Sequence, residues 1–322
     1  MRPPYKINSE ILSLIASVSE KIGEVNASFL SRPAPELRRM NRIKTIQSSL
    51  GIEGNSLSIE QVTAILENRR ILAPQKEIQE VQNAIRVYNN LSHFNPFSIT
   101  SFLKAHAILM DKLVDHPGRL RTRPVGIAKG SSVTHLAPPA SIVRSLMKEL
   151  FEYLRKDRDL LLVKSCVFHY ESEFIHPFMD GNGRMGRLWQ TVILMKHSPV
   201  FEYLPMETLI KARQDDYYRI LGEADNKGES TGFIGFMLRI IDDSLEQLLS
   251  TQNFTITQSD RLSIFIEKSG GAEFTRKDYL RVFKEISGAT ASRDLKAGVE
   301  SGLLKRTGDK RLTRYRFRKQ ED

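Results

Sequence analysis

The most informative segment for the fold is residues 159–195, DLLLVKSCVFHYESEFIHPFMDGNGRMGRLWQTVILM. A largely apolar helical run leads up to Phe174, and Pro177 interrupts it. Residues 180–183 (DGNG) then predict a tight turn, after which a second apolar helix begins at once. The sequence therefore predicts two helices joined by a glycine-rich loop, with polar residues at the start of the second helix.

The loop carries residue types that bind phosphate. Gly181 and Gly183 can adopt positive φ without steric cost, which would let backbone N–H groups around Asn182 converge on an anion. The following helix directs its N-terminal N–H groups and partial positive charge to the same place. Arg184 and Arg187 are three residues apart and add guanidinium groups that match phosphate oxygens. Together these features predict a polyphosphate site.

Two further residues of the loop can take part in chemistry. A carboxylate beside a phosphate cradle, here Asp180, is suited to hold Mg²⁺, which takes one or two protein ligands. Histidine side chains in general titrate near neutral pH, so a histidine at position 176 can accept a proton from an attacking hydroxyl. The loop thus combines a base, a metal ligand and phosphate-binding groups, which indicates transfer of a phosphate-containing group.

Simpler interpretations explain less of this loop. The letters GNGRMG match the G-x-G-x-x-G dinucleotide-binding pattern, but they follow a helix and a proline and not a strand of a βαβ unit. His169 and His176 could ligate a metal, although no second pair of ligands stands at metal-site spacing. A plain helix–turn–helix corner accounts for the glycines and leaves the histidine, the aspartate and the two arginines unexplained.

Residues 176–187, HPFMDGNGRMGR, match the signature H-x-F-x-[DE]-G-N-[GK]-R-x-x-R at every position, and the chain resembles the Fic family over about residues 35–250. The resemblance implies a helical core that transfers AMP from ATP to a Tyr, Thr or Ser hydroxyl of a target protein, or of the protein itself. It implies His176 as the general base and Asp180 as the Mg²⁺ ligand. The nucleotide contacts it implies in the loop and the following helix are Asp180, Gly181, Asn182, Gly183, Arg184, Met185, Gly186 and Arg187.

The resemblance also implies nucleotide contacts outside the signature. The family's flap, which positions the target by strand addition, corresponds to residues 129–136, within a Gly-, Ser- and Pro-containing segment predicted to form a hairpin. Tyr217 and Tyr218 would flank the adenosine, although aromatic residues in a helical pattern are also typical of a core. Many relatives have Asn eight residues after the first tyrosine, where this chain has Asp225. The remaining implied contacts are Val133, Thr134 and His135 of the flap.

A second family element stands upstream of the core. Residues 49–54 (SLGIEG) match the inhibitory pattern [ST]-x-x-x-E-[GN], which Ser49 opens, and the resemblance implies that Glu53 pairs with Arg187. An arginine held by a carboxylate cannot grip the γ-phosphate, and the carboxylate repels that phosphate. The alternative is that Glu53 is an ordinary turn residue.

The C-terminal part of the chain has a different texture. Residues 274–283 and 287–304 predict two short helices, and a hairpin follows around Gly308, so we expect a winged helix. Residues 301–320 hold eight Lys or Arg and a single acid. This basic hairpin favours contacts with DNA phosphates, and the alternative is a module for dimerisation or target docking.

Composition limits the class of protein. The chain has 322 residues, 40% of them hydrophobic, and a net charge of +10 that lies mostly at the C-terminal end. Its one cysteine, Cys166, excludes an internal disulfide and a multi-cysteine zinc site, and a buried structural thiol is expected there. The N-terminal residues lack the apolar stretch of a secretory signal, and no run approaches membrane-span length. We therefore expect a cytoplasmic protein.

The predicted fold is mainly α: a helical core with a short β-hairpin flap, plus a small C-terminal α/β winged-helix domain. We expect an N-terminal helical region with the inhibitory motif at residues 1–100 and the catalytic core at 101–248. A linker is expected at 249–260 and the winged helix at 261–322.

The resulting hypothesis is a Mg²⁺-dependent protein adenylyltransferase with built-in inhibition. Removal of AMP from a modified protein is a variant of it, because an inhibitory glutamate orients water in some relatives. A DNA-binding regulator with the helical core as nucleotide sensor is the alternative from another class. The full set of His176, Asp180, Asn182 and Arg187 favours retained chemistry, since a sensor has no need of a base. A homodimer is a further expectation, because dimers are common among the relatives.

Overall fold

The computed structural model describes residues 2–27, 33, 35–129, 132–250, 258–269, 272–284, 286–309 and 313–318. It divides into two compact units, the first formed by residues 1–31 and 39–250 and the second by residues 32–38 and 251–322. Among the described residues, no helix combines the length and the apolar character needed to cross a bilayer.

Helices dominate the first unit, as the apolar spacing predicts. Short 3₁₀ turns occur at Leu91–His93 and Pro199–Tyr203. The α-helices are α1 (Ser9–Ala27), α2 (Pro35–Ile52), α3 (Ile59–Leu66), α4 (Gln75–Tyr88), α5 (Ile99–Leu109), α6 (Ala140–Lys156), α7 (Leu161–Ile175), α8 (Asn182–Leu194), α9 (Met206–Ala212), α10 (Gln214–Lys227) and α11 (Thr231–Ser250).

Local sequence explains how individual helices begin and which face they bury. In α3, Ser58 is the N-cap: its hydroxyl accepts from the Gln61 N–H, while the Gln61 side chain accepts from the Ser58 N–H. In α6, Val143, Met147 and Leu154 recur at helical spacing and are buried, whereas the charged residues lie opposite. Most of the stability of such helices comes from the buried face.

An aromatic core holds α7 and α8 together. Phe102 of α5 lies at its centre, with its ring 5.4 Å from Phe178 and 5.1 Å from Trp189, measured between centroids. Phe151 and Phe168 complete the cluster, and all five side chains are buried. The indole of Trp189 donates to the Pro96 carbonyl at 3.1 Å, so its polar atom is satisfied. This core fixes the loop between α7 and α8.

The predicted flap is a two-stranded antiparallel hairpin. β1 (Gly126–Lys129) pairs with β2 (Ser132–Leu136), with Gly126 opposite Leu136, and the register shifts after Ile127. The side chains of residues 126–136 lie outside the described part of the structure.

The second unit builds its own core from three helices and a hairpin. They are α12 (Gln258–Ser269), α13 (Arg276–Val282), α14 (Gly288–Glu300), β3 (Leu304–Thr307) and β4 (Arg314–Phe317). Phe274 forms an isolated antiparallel bridge to Tyr315, which adds a third extended segment beside the hairpin. The buried residues include Leu262, Phe265, Phe274, Tyr279, Leu295, Leu304 and Phe317.

The expected linker at residues 249–260 overlaps both neighbouring helices. Helix α11 continues to Ser250 and α12 begins at Gln258, while residues 251–257 lie outside the described part of the chain. Polar residues are tolerated in the first and last turns of helices, so the loss of an apolar period does not mark a helix end.

Candidate functional site

The loop between α7 and α8 takes its shape from two residues with positive φ. His176 ends α7 with φ 49° and ψ 63°, and Gly181 precedes α8 with φ 84°. A side chain at Gly181 would also have no room, because an added Cβ would lie 2.7 Å from the Met110 sulfur. The residue at this position therefore has to be glycine for two independent reasons.

The side chain of Asn182 braces the loop. Its Oδ1 accepts from the Phe178 N–H at 2.9 Å, and its Nδ2 donates to the Phe178 carbonyl at 3.0 Å. Because α8 begins at Asn182 without a side-chain cap, the first N–H groups of the helix have no intrahelical acceptor. The contribution of Asn182 to an anion site is thus its backbone N–H, while its buried amide holds the turn.

His106 of α5 supports the same loop, a role that no sequence pattern predicts. Its Nδ1 accepts from the Gly118 N–H at 2.8 Å, so Nε2 carries the proton and donates to the Asp180 carbonyl at 3.0 Å. The ring stacks on Phe178 with 3.6 Å between centroids. Burial lowers the pKa of His106 to about 4, which keeps the ring neutral.

The Asp180 carboxylate stands at the mouth of the loop with 51% of its side chain exposed. Its Oδ1 accepts from the Gly181 N–H at 2.6 Å and from Arg184 Nη2 at 3.1 Å. Within the described ranges, no group of three or more His, Cys, Asp or Glu could hold a metal. A single exposed carboxylate still fits Mg²⁺, which usually keeps several waters and takes the remaining oxygens from substrate phosphates.

Arg184 links the loop to the upstream helices. Its Nη1 lies 3.3 Å from Glu80 Oε1 on α4, and Glu80 Oε2 accepts from Asn55 Nδ2 at 2.8 Å. Asn55 lies two residues after Glu53, so a chain of polar contacts connects the glycine-rich loop with the turn that carries Glu53.

Arg187 is held by the end of α2. Its Nη2 lies 2.7 Å from Glu53 Oε1 and donates to the Ser49 carbonyl at 3.0 Å, and its Nε donates to the Ser49 hydroxyl at 3.3 Å. The arginine side chain is 1% exposed and that of Glu53 is 30% exposed. Burial works to lower the pKa of Arg187, but the Glu53 carboxylate outweighs it and keeps that pKa above its ordinary value.

The Glu53 carboxylate also covers the N-terminus of α8. A Cβ added to Gly183 would lie 2.5 Å from Glu53 Oε1. The carboxylate therefore stands beside the unpaired N–H groups and beside Arg187, where the sequence predicts the outer phosphates. Two anions repel each other at this range, so the present position of Glu53 is incompatible with a phosphate held by Arg187.

A second acid lies behind Arg187 and was not predicted. Glu207 of α9 is 1% exposed and accepts from the Tyr88 hydroxyl at 3.2 Å. Burial raises the pKa of Glu207 to about 7, and the Arg187 charge only partly opposes this. A single glutamate in a helical pattern does not indicate that its side chain will be buried near an arginine.

The ring of His176 is oriented for proton transfer. Its Nδ1 lies 3.4 Å from the Glu173 carbonyl, which can only accept, so Nδ1 carries the hydrogen of the neutral ring. The lone pair is then on Nε2, the nitrogen that would accept a proton. His169, the other histidine of α7, is fully buried and donates through Nδ1 to Gln190 Oε1 at 2.7 Å.

The two tyrosines of α10 have different surroundings. Tyr217 is 1% exposed, and its hydroxyl donates to His169 Nε2 at 3.1 Å. Tyr218 is 39% exposed, with its ring 5.3 Å from that of Tyr217. Direct contact with a base is therefore open to Tyr218, while Tyr217 supports it from the core.

The remaining predicted residues are distributed as follows. Asp225 Oδ1 accepts from the Tyr170 hydroxyl at 3.0 Å, so this departure from the family pattern is tied to α7. Strand β2 lies alongside α10, and the side chains of Val133, Thr134 and His135 are not among those described. Cys166 is buried, as expected, and burial raises its thiol pKa to about 12.

Known proteins resemble this chain over the site just described. The sequence model of the Fic/DOC family matches residues 96–194. A crystal structure of a Fic family protein from Desulfovibrio desulfuricans G20 aligns over the whole of both chains with a TM-score of 0.76 and 41% identity. The structure of Fic-1 (residues 134–508) from Caenorhabditis elegans covers 76% of this chain and 73% of its own, with a TM-score of 0.62 and 23% identity, which supports the fold alone.

Curated relatives carry the name of an activity. "Protein adenylyltransferase Fic" of Nematostella vectensis is 28% identical over 75% of this chain and 58% of its own length. "Protein adenylyltransferase fic-1" of C. elegans is 26% identical over 84% of this chain and 55% of its own length. The chain therefore spans just over half the length of these curated relatives.

Proposed function

Because this chain belongs to the Fic family, we propose that it is a protein adenylyltransferase, which transfers AMP from ATP to a hydroxyl side chain of a target protein. The observation that carries the proposal is the loop of residues 176–187, which joins a base, an uncapped helix N-terminus and two arginines on one rigid turn. The curated relatives are named as adenylyltransferases, which favours transfer over removal of AMP and over nucleotide sensing.

The proposed reaction uses His176 as the base. Its Nε2 accepts the proton of the target hydroxyl as that oxygen attacks the α-phosphorus of ATP. The new oxygen–phosphorus bond forms while the bond to the bridging oxygen breaks, and pyrophosphate leaves. Such a positioned base contributes on the order of 10²–10⁴ in rate.

The nucleotide would be held by groups that the loop presents. Backbone N–H groups of Asn182 and Gly183 stabilise negative charge on the phosphates, and they need no rearrangement because Phe178 and His106 hold the turn. Asp180 would hold Mg²⁺, which supplies charge neutralisation of the phosphate oxygens when bound. Tyr218 is available to stack on the base.

In the state described here the activity is proposed to be inhibited. Arg187 is engaged by Glu53 and by Ser49, and a productive γ-phosphate contact requires the carboxylate to leave. The exposed fraction of the Glu53 side chain, 30%, makes its release feasible without opening the core.

The test is incubation of the Glu53→Gly protein with Mg²⁺ and either α- or γ-labelled ATP, followed by mass spectrometry of the labelled chain. We expect label from α-labelled ATP only, a mass increase equal to AMP less one water, and at least tenfold more labelling than in the wild type. Glu60→Gly, the same change at an exposed glutamate of α3, should leave labelling at the wild-type level. Adding His176→Ala should abolish transfer.

The outcomes separate the two parts of the proposal. Label from γ-labelled ATP would contradict nucleotidyl transfer. Equal labelling of the wild type and the Glu53→Gly protein would contradict inhibition by Glu53, while leaving the transferase assignment intact.

A second candidate function, DNA binding, concerns the C-terminal unit. We propose that this unit is a winged helix, because its elements follow the order helix, bridge segment, two helices and hairpin. On β4, Arg314 and Arg316 are exposed while Phe317 is buried, so one side of the strand is basic. Lysines and arginines on a wing suit the phosphates of duplex DNA.

A further inference from the structure

Arg121 is a buried arginine whose described acceptors are all backbone carbonyls. The residue is 3% exposed. Its Nε donates to the His176 carbonyl at 2.7 Å, and Nη2 donates to the Ile175 carbonyl at 3.2 Å. The main-chain N–H of Arg121 donates to the Pro177 carbonyl at 2.9 Å. One residue thus binds three consecutive carbonyls at the point where α7 ends and the loop begins.

The same guanidinium reaches both ends of the β1–β2 hairpin. Nη1 donates to the carbonyl of Arg123, three residues before β1, at 3.1 Å, and Nη2 donates to the carbonyl of Pro138, two residues after β2, at 2.5 Å. A planar guanidinium carries five N–H donors in a fixed fork, so it can join these segments in one geometry. A lysine ammonium at the end of a flexible stem cannot reproduce that fork.

The contacts explain how His176 keeps its backbone conformation. A non-glycine residue with φ near +50° is strained and persists only when its surroundings hold it. The last carbonyls of a helix lack intrahelical donors and carry partial negative charge, which a cation satisfies. Arg121 meets both needs at the C-terminus of α7, because it binds the carbonyl of the strained residue itself.

We propose that Arg121 is a positioning residue that fixes the base at His176 relative to the hairpin that would present the target hydroxyl. The inference rests on the function proposed above. Because Nε, Nη1 and Nη2 of Arg121 each donate to a backbone carbonyl, we assign it no contact with the substrates; it acts by tying residues 175–177 to the two ends of the flap. Without these contacts, His176 and the hairpin that would deliver the target hydroxyl lose their fixed relative position. The proposed phosphate-binding turn at residues 180–187 keeps its hydrogen bonds from His106 and Asn182.

The test is Arg121→Lys in the 322-residue Glu53→Gly chain, with self-labelling by α-labelled ATP as the activity. We expect the labelling rate at saturating Mg·ATP to fall by at least tenfold, since a 1 Å misplacement of reacting groups can cost on the order of 10²-fold. The ATP concentration for half-maximal rate should stay within about twofold. Because the positive charge is kept, the pH dependence of the rate should keep its shape.

Lys164→Met is the matched control. Lys164 is also buried, and its ammonium donates to the carbonyls of Leu154 and Asp157, remote from the loop along α7. This variant should lose thermal stability as Arg121→Lys does, with no change in the labelling rate at a temperature where both are folded. Equal loss of rate in the two variants would overturn a positioning role in favour of a purely structural one.

Backbone amide exchange keeps the inference testable without catalysis. In Arg121→Lys, exchange should accelerate at residues 125–129 and 132–137 and at Ile175, His176 and Phe178, and it should stay unchanged over α8. If the Glu53→Gly parent transfers nothing, the proposed function fails, and the exchange data still decide the role of Arg121. Unchanged exchange at both segments would overturn it, as would a rate within twofold of the parent.

Discussion

At the scale of single residues, the site depends on side chains that build the loop as much as on those that would touch substrate. Both ends of the Asn182 amide form hydrogen bonds with the backbone of Phe178. Both ring nitrogens of His106 form hydrogen bonds with backbone groups of Gly118 and Asp180. A turn held in this way keeps its N–H groups aimed at the anion before the anion arrives, which is the condition for electrostatic stabilisation at low reorganisation cost.

The Asn182 brace can be tested by Asn182→Asp. The change keeps the oxygen that accepts from the Phe178 N–H and replaces the donor that faces the Phe178 carbonyl with a second oxygen. We expect a loss of about 1–3 kcal/mol in the free energy of unfolding and at least tenfold weaker ATP binding. Urea unfolding and nucleotide titration measure the two effects. Asn226→Asp, at an exposed position of α10, is the control, and equal effects in both variants would exclude the brace.

Single residues also show where prediction from sequence ends. The glycines, Asp180 and the two arginines are close together in the chain, so their spacing alone indicates an anion site. His106 and Glu207 lack that advantage: His106 binds a carbonyl 74 positions away, and Glu207 approaches Arg187 only through the tertiary fold. Arg121 is the same kind of case, because its partners are carbonyls, which every residue possesses.

At the scale of elements, the loop is coupled to the helices that stand upstream of it. α8 contributes Arg184 and Arg187, α4 contributes Glu80, and the turn after α2 contributes Glu53. Glu80 binds Arg184 with one oxygen and Asn55 with the other, so movement of Arg184 toward a phosphate would loosen the turn that presents Glu53. Under the proposed function, nucleotide binding and release of the Glu53 carboxylate would share this contact.

Helix α9 brings a titratable group into the interior. Burial raises the pKa of Glu207 from 4.5 to about 7, and no described group donates to its Oε2. At a pH between these two pKa values, Glu207 keeps a proton in the folded chain that it has released in the unfolded chain. Folding stability therefore falls as the pH rises through this window, by at most about 3 kcal/mol from this residue.

Glu207→Gln tests that linkage, because the amide is close in shape to the protonated acid and does not titrate. Relative to the wild type, we expect the variant to gain stability between pH 5 and pH 8, by up to about 3 kcal/mol, and to show little difference at pH 5. Urea unfolding at the two pH values gives the comparison. A constant offset at both would mean that Glu207 ionises in the folded protein as it does in water.

The elements themselves were largely predictable, and the exceptions have physical causes. Apolar spacing marks α1, α4 and α6, since a buried stripe needs residues on one face. Tyr217 and Tyr218 were ambiguous because adjacent residues on a helix differ by about 100° in direction, and only packing against α11 decides which one is enclosed.

At the scale of the whole molecule, chemistry and basic charge are segregated along the chain. The residues proposed for transfer lie in the first unit, whereas residues 301–320 hold eight Lys or Arg against one acid in the second. Asp294 anchors this second unit, because its buried carboxylate binds Arg261 at 2.7 Å and the Tyr279 hydroxyl at 3.1 Å. The described ion pairs of the hairpin, Arg314 with Glu273 at 3.8 Å and Arg306 with Asp309 at 3.5 Å, join exposed side chains and are therefore weak enough for a polyanion to displace.

If the wing binds DNA, the binding should follow the rules of phosphate contact. We expect the 322-residue chain to bind a fluorescent DNA duplex at low salt and to lose affinity steeply as the salt concentration rises. Replacing Arg314 and Arg316 by Ala should weaken binding at every sequence and reduce the slope of log affinity against log salt by about 2, one for each lost phosphate contact. Self-labelling of the Glu53→Gly chain should not change, since these arginines lie outside the catalytic unit. DNA contact by the basic hairpin would be contradicted if the variant bound like the parent, or if the parent did not bind at low salt.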